Sequence, residues 1–300
     1  MNDQKFVQGR RLGFIGLGRL GAPIARNLKA DGYQMTGFDR FPQALAEAAR
    51  HGVAPAESAA GVGSVSDVVF TCVRTAGDLT ELLTGPDGLL AALPAGSAVL
   101  DLSTVSPEAS AEHARLVEDA GSAFLRIAVS GSAPAAEARQ LSFLCSGPRA
   151  TYEYVVPLLE AVGRGHVYVG AADEARSVKI AINTLVGSNL AALAEAVALA
   201  ERLGIDRSDF LYAVEHSAVG SPFVAAKATA LAERDYTPTA SLALMLKDLD
   251  LALSAGKDIG QSLPVTELTR KLYAECHERG WDERDFACVA ELYESPDLPS

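Results

Sequence analysis

The sequence predicts an α/β fold, with a doubly wound, mostly parallel sheet in the N-terminal half and an all-helical domain after it. Three observations predict this. Short apolar runs alternate with helical stretches up to residue 170, the pattern of a parallel sheet covered on both faces. Gly16-Leu17-Gly18-Arg19-Leu20-Gly21 lies between the first apolar run and the first helical stretch. Beyond Gly170 no strand-like run recurs up to Tyr293, and such a change in pattern marks a domain boundary. The domains are therefore 1–170 and 171–300, the second opening with one long helix.

In chain order, residues 1–10 read as a loose tail. Leu12–Ile15 is a strand-type run ending in glycine, Ala22–Lys29 is helical, Met35–Phe38 is a second strand, and Pro42–His51 is helical again. Val68–Val73 is a continuous apolar run bounded by turn residues, as expected of a strand buried on both faces. Ala98–Leu102 follows as a strand. Ser106-Pro107 opens a helix, with a capping serine and a proline at the first helical position. Ala123–Val129, Leu141–Cys145 and Val167–Val169 complete the strands. The second half gives helices over 174–203, 206–217, 222–233, 240–256, 264–279 and 285–294, broken at Gly204, Gly220, Pro238, Gly260 and Gly280. The final segment, 295–300, reads as a fraying terminus.

Composition narrows the function. An apolar share of 49% with 21% charged residues is that of a soluble globular chain. A net charge of −12 argues against nucleic acid, which demands a basic face. Cys72, Cys145, Cys276 and Cys288 show no metal spacing, so no metal is expected and the thiols read as reduced core residues. The N-terminus lacks an apolar leader, and no window is read as a membrane span, since Leu185–Ala200 contains Ser188, Asn189 and Glu195. The expected location is cytoplasmic.

The glycine motif carries the first functional inference. It follows a strand, opens a helix, and is answered by Asp39 at the end of the next strand, the full context of a Rossmann-type dinucleotide site. Gly16 permits the tight turn, Gly18 lets the backbone approach a pyrophosphate, and Gly21 lets helix and strand pack closely. The helix N-terminus offers free N–H groups to the phosphates. Asp39 accepts hydrogen bonds from ribose hydroxyls and repels a 2′-phosphate, which favours NAD; Arg40 is the residue that would pair with that phosphate in NADP.

The second inference concerns the stretch from Ala172 to Leu203. It is apolar at most positions, and a helix apolar nearly all round is expected to be buried. Lys179 and Asn183 lie four apart and share one face of it. Burying a lysine is costly without a purpose. The reading is that this helix delivers an amine and an amide into a cleft between the domains.

Taken together, these features resemble the β-hydroxyacid dehydrogenase family, whose members include 3-hydroxyisobutyrate dehydrogenase, tartronate semialdehyde reductase and the decarboxylating 6-phosphogluconate dehydrogenases. Five motifs carry the resemblance over roughly residues 10–293. They are the stretch from Gly16 to Leu28, the run from Asp101 through Ser103 and Thr104 to Pro107, Val129-Ser130-Gly131-Ser132, Lys179 with Asn183, and Leu246-Lys247-Asp248-Leu249. The resemblance implies that Lys179 is the general acid/base, that Ser130, Gly131, Ser132 and Asn183 hold the substrate, and that Ser130 and Asn183 assist catalysis. It implies that Val73, Arg74, Ser103, Thr104 and Lys247 join the glycine loop in holding the cofactor. It further implies a small 3-hydroxy acid as substrate and a homodimer or homotetramer built through the helical domain.

Six departures from the family pattern bear on the substrate. Arg126 replaces an acid, Ser132 and Arg139 replace glycines, Arg74 replaces a proline, Ala240 stands where a phenylalanine is common, and Ile182 replaces an asparagine. Ala240 is expected to leave room, and Arg74 or Arg126 to read a second anionic group; the bland alternative makes Arg126 and Arg139 surface residues. Two rival functions share the scaffold. An imine reductase commonly lacks the lysine, and a non-catalytic dinucleotide-binding protein would not need it.

Overall fold

The structure, a computed structural model, describes residues 9–294. The expectations for residues 1–8 and 295–300 lie outside the described residues. The chain divides between Lys179 and Ile180 into two compact units. That division lies inside the long helix and nine residues beyond the boundary read from the sequence, because the first turns of the helix pack on the sheet.

The first unit carries eight strands: β1 (Arg11–Ile15), β2 (Gln34–Phe38), β3 (Ala54–Pro55), β4 (Val68–Thr71), β5 (Ala98–Asp101), β6 (Ala123–Ser130), β7 (Leu141–Ser146) and β8 (Gly163–Gly170). They form one sheet in the order β3-β2-β1-β4-β5-β6-β7-β8. All neighbours run parallel except β6 and β7, which pair antiparallel, so β7 and β8 run against the rest. The central strands β4 and β5 are buried at every residue, which is why they read as unbroken apolar runs. Their side chains point alternately to two faces. Phe14, Phe70, Leu100 and Leu125 share one apolar cluster, while Val69, Val99 and Phe124 belong to another. Helices cover both clusters, and the sheet is doubly wound.

The helices of this unit are α1 (Gly21–Ala30), α2 (Pro42–Arg50), α3 (Ala59–Gly63), α4 (Ala76–Thr84), α5 (Pro107–Asp119), α6 (Ala133–Glu137) and α7 (Arg149–Val162). Ser106 caps α5 as expected, accepting a bond from the Ala109 N–H. Sequence reading left out α3, α4, α6, α7 and β3. The shortest are single turns or two residues long, with too few positions to show a period, and α7 carries Pro157 in its interior.

The second unit is helical: most of α8 (Glu174–Arg202), then α9 (Arg207–Glu215), α10 (Pro222–Glu233), α11 (Leu242–Asp258) and α12 (Pro264–Glu278). The last segment, Phe286–Tyr293, is a 3₁₀ helix rather than an α-helix. Its core joins Leu190, Ala194 and Val197 of α8 to Leu231, Met245, Leu249 and Tyr273. The expectation that α8 is buried all round is corrected: Leu185 and Leu199 are both 61% exposed. One face packs in the core and the opposite face is open in the single chain. The expectation that no window is apolar enough for a membrane is also corrected. By length and composition alone α8 passes that test, as core helices of soluble proteins also do.

Asp285 holds the second unit together at its polar centre. Its carboxylate accepts bonds from Lys227 Nζ at 2.7 Å, from Thr239 Oγ1 at 2.7 Å and from the Thr239 and Ala287 N–H groups. Burial alone would raise this carboxyl, but the ammonium and these donors outweigh it and hold it below the ordinary carboxylate range. A lowered folded value means that the stabilisation is present above the unfolded value of about 3.9. It is lost as pH falls through the folded value. Asp285→Asn should cost about 3–5 kcal/mol by leaving Lys227 buried without its partner. Denaturant melts at pH 7 should show the drop, and wild type and mutant should converge as the pH is lowered below 4.

Candidate functional site

Strands β1, β2, β4, β5 and β6 are mutually parallel, so their C-terminal ends lie along one edge of the sheet. The chain order reverses between β1 and β4, and open α/β sheets bind ligands at such a switch point. The glycine loop leaves β1 there. Gly16 has φ +94°, and a Cβ on it would lie 2.1 Å from the Cys72 carbonyl oxygen. A Cβ on Gly21 would lie 2.0 Å from the Gly16 carbonyl oxygen. The protein's own packing therefore demands both glycines. Gly18 is different: it is exposed and nothing lies within 4 Å of its Cβ position. The bare backbone at Gly18 fits close approach by a dinucleotide pyrophosphate, and α1 begins with no capping side chain and no acid in its first turn.

Asp39 is fixed beside this loop. Its Oδ2 accepts from the Leu17 N–H at 2.7 Å and its Oδ1 from the Phe41 N–H at 2.8 Å. A carboxylate has lone pairs left for two ribose hydroxyls. Arg40 is turned to Asp78 in the first turn of α4, with Nη1 2.7 Å from Oδ1. Leu20 stands at the N-cap of α1, and Arg19 is exposed next to it.

The next two strand ends interlock through Asp101. Its Oδ1 accepts from Thr71 Oγ1 at 2.7 Å, from Ser103 Oγ at 2.7 Å and from the Ser103 N–H at 3.2 Å. Ser103 Oγ in turn accepts from the Val73 N–H at 3.0 Å. Val73 and Ser103, with Thr104 following, are thus brought together beside the glycine loop, and Arg74 is exposed in the turn before α4. Cys72 closes the floor; burial, then Asp101 and Asp39, push its thiol up to about 12.

Arg176, which sequence reasoning passed over, binds the other side of Asp101. Arg176 is 1% exposed and Asp101 fully buried. Arg176 Nη2 donates to Asp101 Oδ2 and to the Asp101 carbonyl, and Nη1 donates to the Ser103 carbonyl at 2.6 Å. Burial pulls this guanidinium below its ordinary value despite the pull of Asp101. The first turn of α8 is thereby tied to the end of β5. Lys179 follows Arg176 by three residues on the same helix face and is half-buried. An arginine inside an otherwise apolar helix was the available signal.

Arg126 is a correction. It is buried, neither a surface residue nor a free anion reader, and its Nε and Nη2 donate to the two oxygens of Asp173 at 2.9 and 3.3 Å. Arg139 is also more than a surface residue. It adopts φ +58°, the left-handed region that the usual glycine suits. It holds both Asp31 oxygens and the carbonyls of Asn27 and Ala161, joining the ends of α1 and α7. Those bonds offset a left-handed cost of about 1–2 kcal/mol.

Ser130 ends β6, Gly131 turns at φ +132°, and Ser132 occupies the N-cap of α6 without a side-chain capping bond. In the second unit, Asn183 Nδ2 donates to Asp248 Oδ2 at 2.6 Å, and Lys247 Nζ lies 3.1 Å from Asp248 Oδ1. Two motifs read separately in the sequence are thus joined. Ala240 packs into that unit's core just before α11. Among the described residues no group of three or more His, Cys, Asp or Glu side chains is placed to hold a metal.

A dinucleotide fingerprint at the switch point of a doubly wound sheet, followed by a helical domain, defines an NAD(P)-dependent oxidoreductase scaffold. Comparison with known proteins refines that class. Residues 11–170 match the family model of the NAD binding domain of 6-phosphogluconate dehydrogenase, and residues 174–293 match that described as NAD-binding of NADP-dependent 3-hydroxyisobutyrate dehydrogenase. The chain is 31% identical over 285 residues to 2-(hydroxymethyl)glutarate dehydrogenase of Eubacterium barkeri, covering 95% of each chain. It is 31% identical over 284 residues to 2-hydroxy-3-oxopropionate reductase of Escherichia coli, covering 95% of this chain and 97% of that one. The solved 3-hydroxyisobutyrate dehydrogenase of Mycobacterium tuberculosis with L-serine superposes with a TM-score of 0.86 at 30% identity, covering 95% of this chain and 99% of that one. The chain belongs to the 3-hydroxyisobutyrate dehydrogenase, or β-hydroxyacid dehydrogenase, family of NAD(P)-dependent enzymes.

The contrast between the glycines is testable. Gly18→Ala should leave the melting temperature unchanged and weaken NADH binding about tenfold, or 1.4 kcal/mol, in a fluorescence titration. Gly16→Ala should lower the melting temperature sharply, since its Cβ meets fixed backbone. A Gly18→Ala protein that binds NADH like wild type would remove the dinucleotide from this loop.

Proposed function

We propose that this enzyme interconverts a small 3-hydroxy acid and its semialdehyde or keto form, with NAD as cofactor and Lys179 as general acid/base. The observation that carries this reading is the Arg176 anchor. It ties the start of α8 to the Ser103 carbonyl at the C-terminal edge of the sheet, and Lys179 follows one turn later. Bound dinucleotide supplies the hydride acceptor in oxidation and the donor in reduction. Lys179 takes the hydroxyl proton in oxidation and returns it to the carbonyl oxygen in reduction. Ser130 and Ser132, with the backbone N–H groups of the turn at Gly131, hold the substrate carboxylate. Asn183 shares a helix face with Lys179 and orients the substrate; its bond to Asp248 fixes the amide.

Asp39 supports NAD, since its fixed carboxylate would repel a 2′-phosphate. The family resemblance supports assembly as a homodimer or homotetramer through the helical unit, and the exposed Leu185, Leu199 and Leu203 of that unit support it further. Cytoplasmic residence completes the reading. With Arg126 committed to Asp173, Arg74 is the arginine left to read a second anionic group on the substrate.

The test is a panel of 3-hydroxyisobutyrate, serine, glycerate, threonate and 3-hydroxypropionate, followed by NADH fluorescence. One or more should be oxidised. In Lys179→Ala, kcat should fall by about 10²–10⁴, the usual worth of general acid/base catalysis, with NADH affinity retained. Normal turnover by that mutant would refute the assignment.

A further inference from the structure

The pairing of Arg40 with Asp78 bears on which dinucleotide is accepted. Arg40 directly follows Asp39, the residue beside the glycine loop, and is the cation that the chain offers to a ribose 2′-phosphate. Its guanidinium is instead bound to Asp78 at 2.7 Å and lies over the Phe41 ring, 5.1 Å from the centroid. Asp78 is itself held in place. Thr75 Oγ1 donates to Asp78 Oδ2 at 2.8 Å, and the Asp78 N–H donates back to Thr75 Oγ1 at 3.0 Å, capping α4. Burial would raise the Asp78 carboxyl, but these bonds and Arg40 hold it below the ordinary range, so it is a carboxylate at neutral pH.

We propose that Asp78 is a specificity-determining residue that disfavours NADP, by holding the Arg40 guanidinium that would otherwise pair with a ribose 2′-phosphate. This rests on the dinucleotide reading of the glycine loop and deepens it. Asp39 alone makes one repulsive contact with a 2′-phosphate. Asp78 removes the attractive contact that Arg40 would otherwise make, and specificity is commonly built from both devices. The Arg40 side of the pair is exposed, and pairs at the surface are worth little in stability.

The experiment is a fluorescence titration of NADH and NADPH against the full chain carrying Asp78→Ala, Asp78→Asn, or Asp78→Ala with Arg40→Ala. Asp78→Asn keeps an acceptor for Thr75 while removing the charge, so it guards against loss of the α4 cap. Both single variants should bind NADPH about three- to tenfold more tightly than wild type, the range expected when an ion pair that competes for Arg40 is removed. NADH affinity should stay within about twofold. The double variant should lose the gain. An unchanged NADPH-to-NADH ratio in both single variants overturns the proposal, as does a gain that persists without Arg40. A wild type that prefers NADPH would refute the NAD reading separately, and an Arg40-dependent gain on removing Asp78 would still support the role of Asp78.

Discussion

The Asp101 carboxylate is the constraint on which the rest of the first unit's functional edge depends. It is fully buried, and a buried charge survives only where it is paired and its lone pairs are satisfied. Thr71 from β4, Ser103 from the following loop and Arg176 from α8 supply those partners. One side chain therefore registers two strand ends and the helix that bears Lys179. Buried ion pairs are poor sources of net stability but enforce one arrangement, because every misplacement leaves a charge without a partner. The first turn of α8 can then occupy only one position against the sheet.

The arginines that depart from the family pattern obey the same rule. Arg126 lies in the interior of a buried strand and would be untenable there without Asp173, which sits just before α8. Arg139 accepts a strained backbone because its planar fork reaches two helix ends and Asp31 at once. Neither residue has a guanidinium free for a ligand. Arginines that look like substrate-reading charges in the chain are absorbed by the architecture.

Much of the architecture was legible because buried parallel strands and amphipathic helices impose periods on the chain. Val68–Thr71 and Ala98–Asp101 are visible as apolar runs since both of their faces are covered. Glycine was equally readable through its spacing, although the contact that requires Gly16 is with the distant Cys72 carbonyl and only that of Gly21, with the Gly16 carbonyl, is local. What was not readable were α3, α6 and β3, too short to show any period, and the reversal of β7, which depends on pairing rather than on local pattern.

For this protein, the sequence by itself determined the doubly wound sheet, the dinucleotide turn, the helical second half and the family, because each is encoded in local spacing. Only the tertiary structure decided that Arg176 anchors the lysine-bearing helix, that Arg126 is committed to Asp173, that Asn183 meets Asp248 and that Arg40 is turned to Asp78. Each of these is a choice of partner across 38 to 75 positions of chain. Charges find partners through packing, and the spacing of a single chain carries no record of which opposite charge will lie nearby.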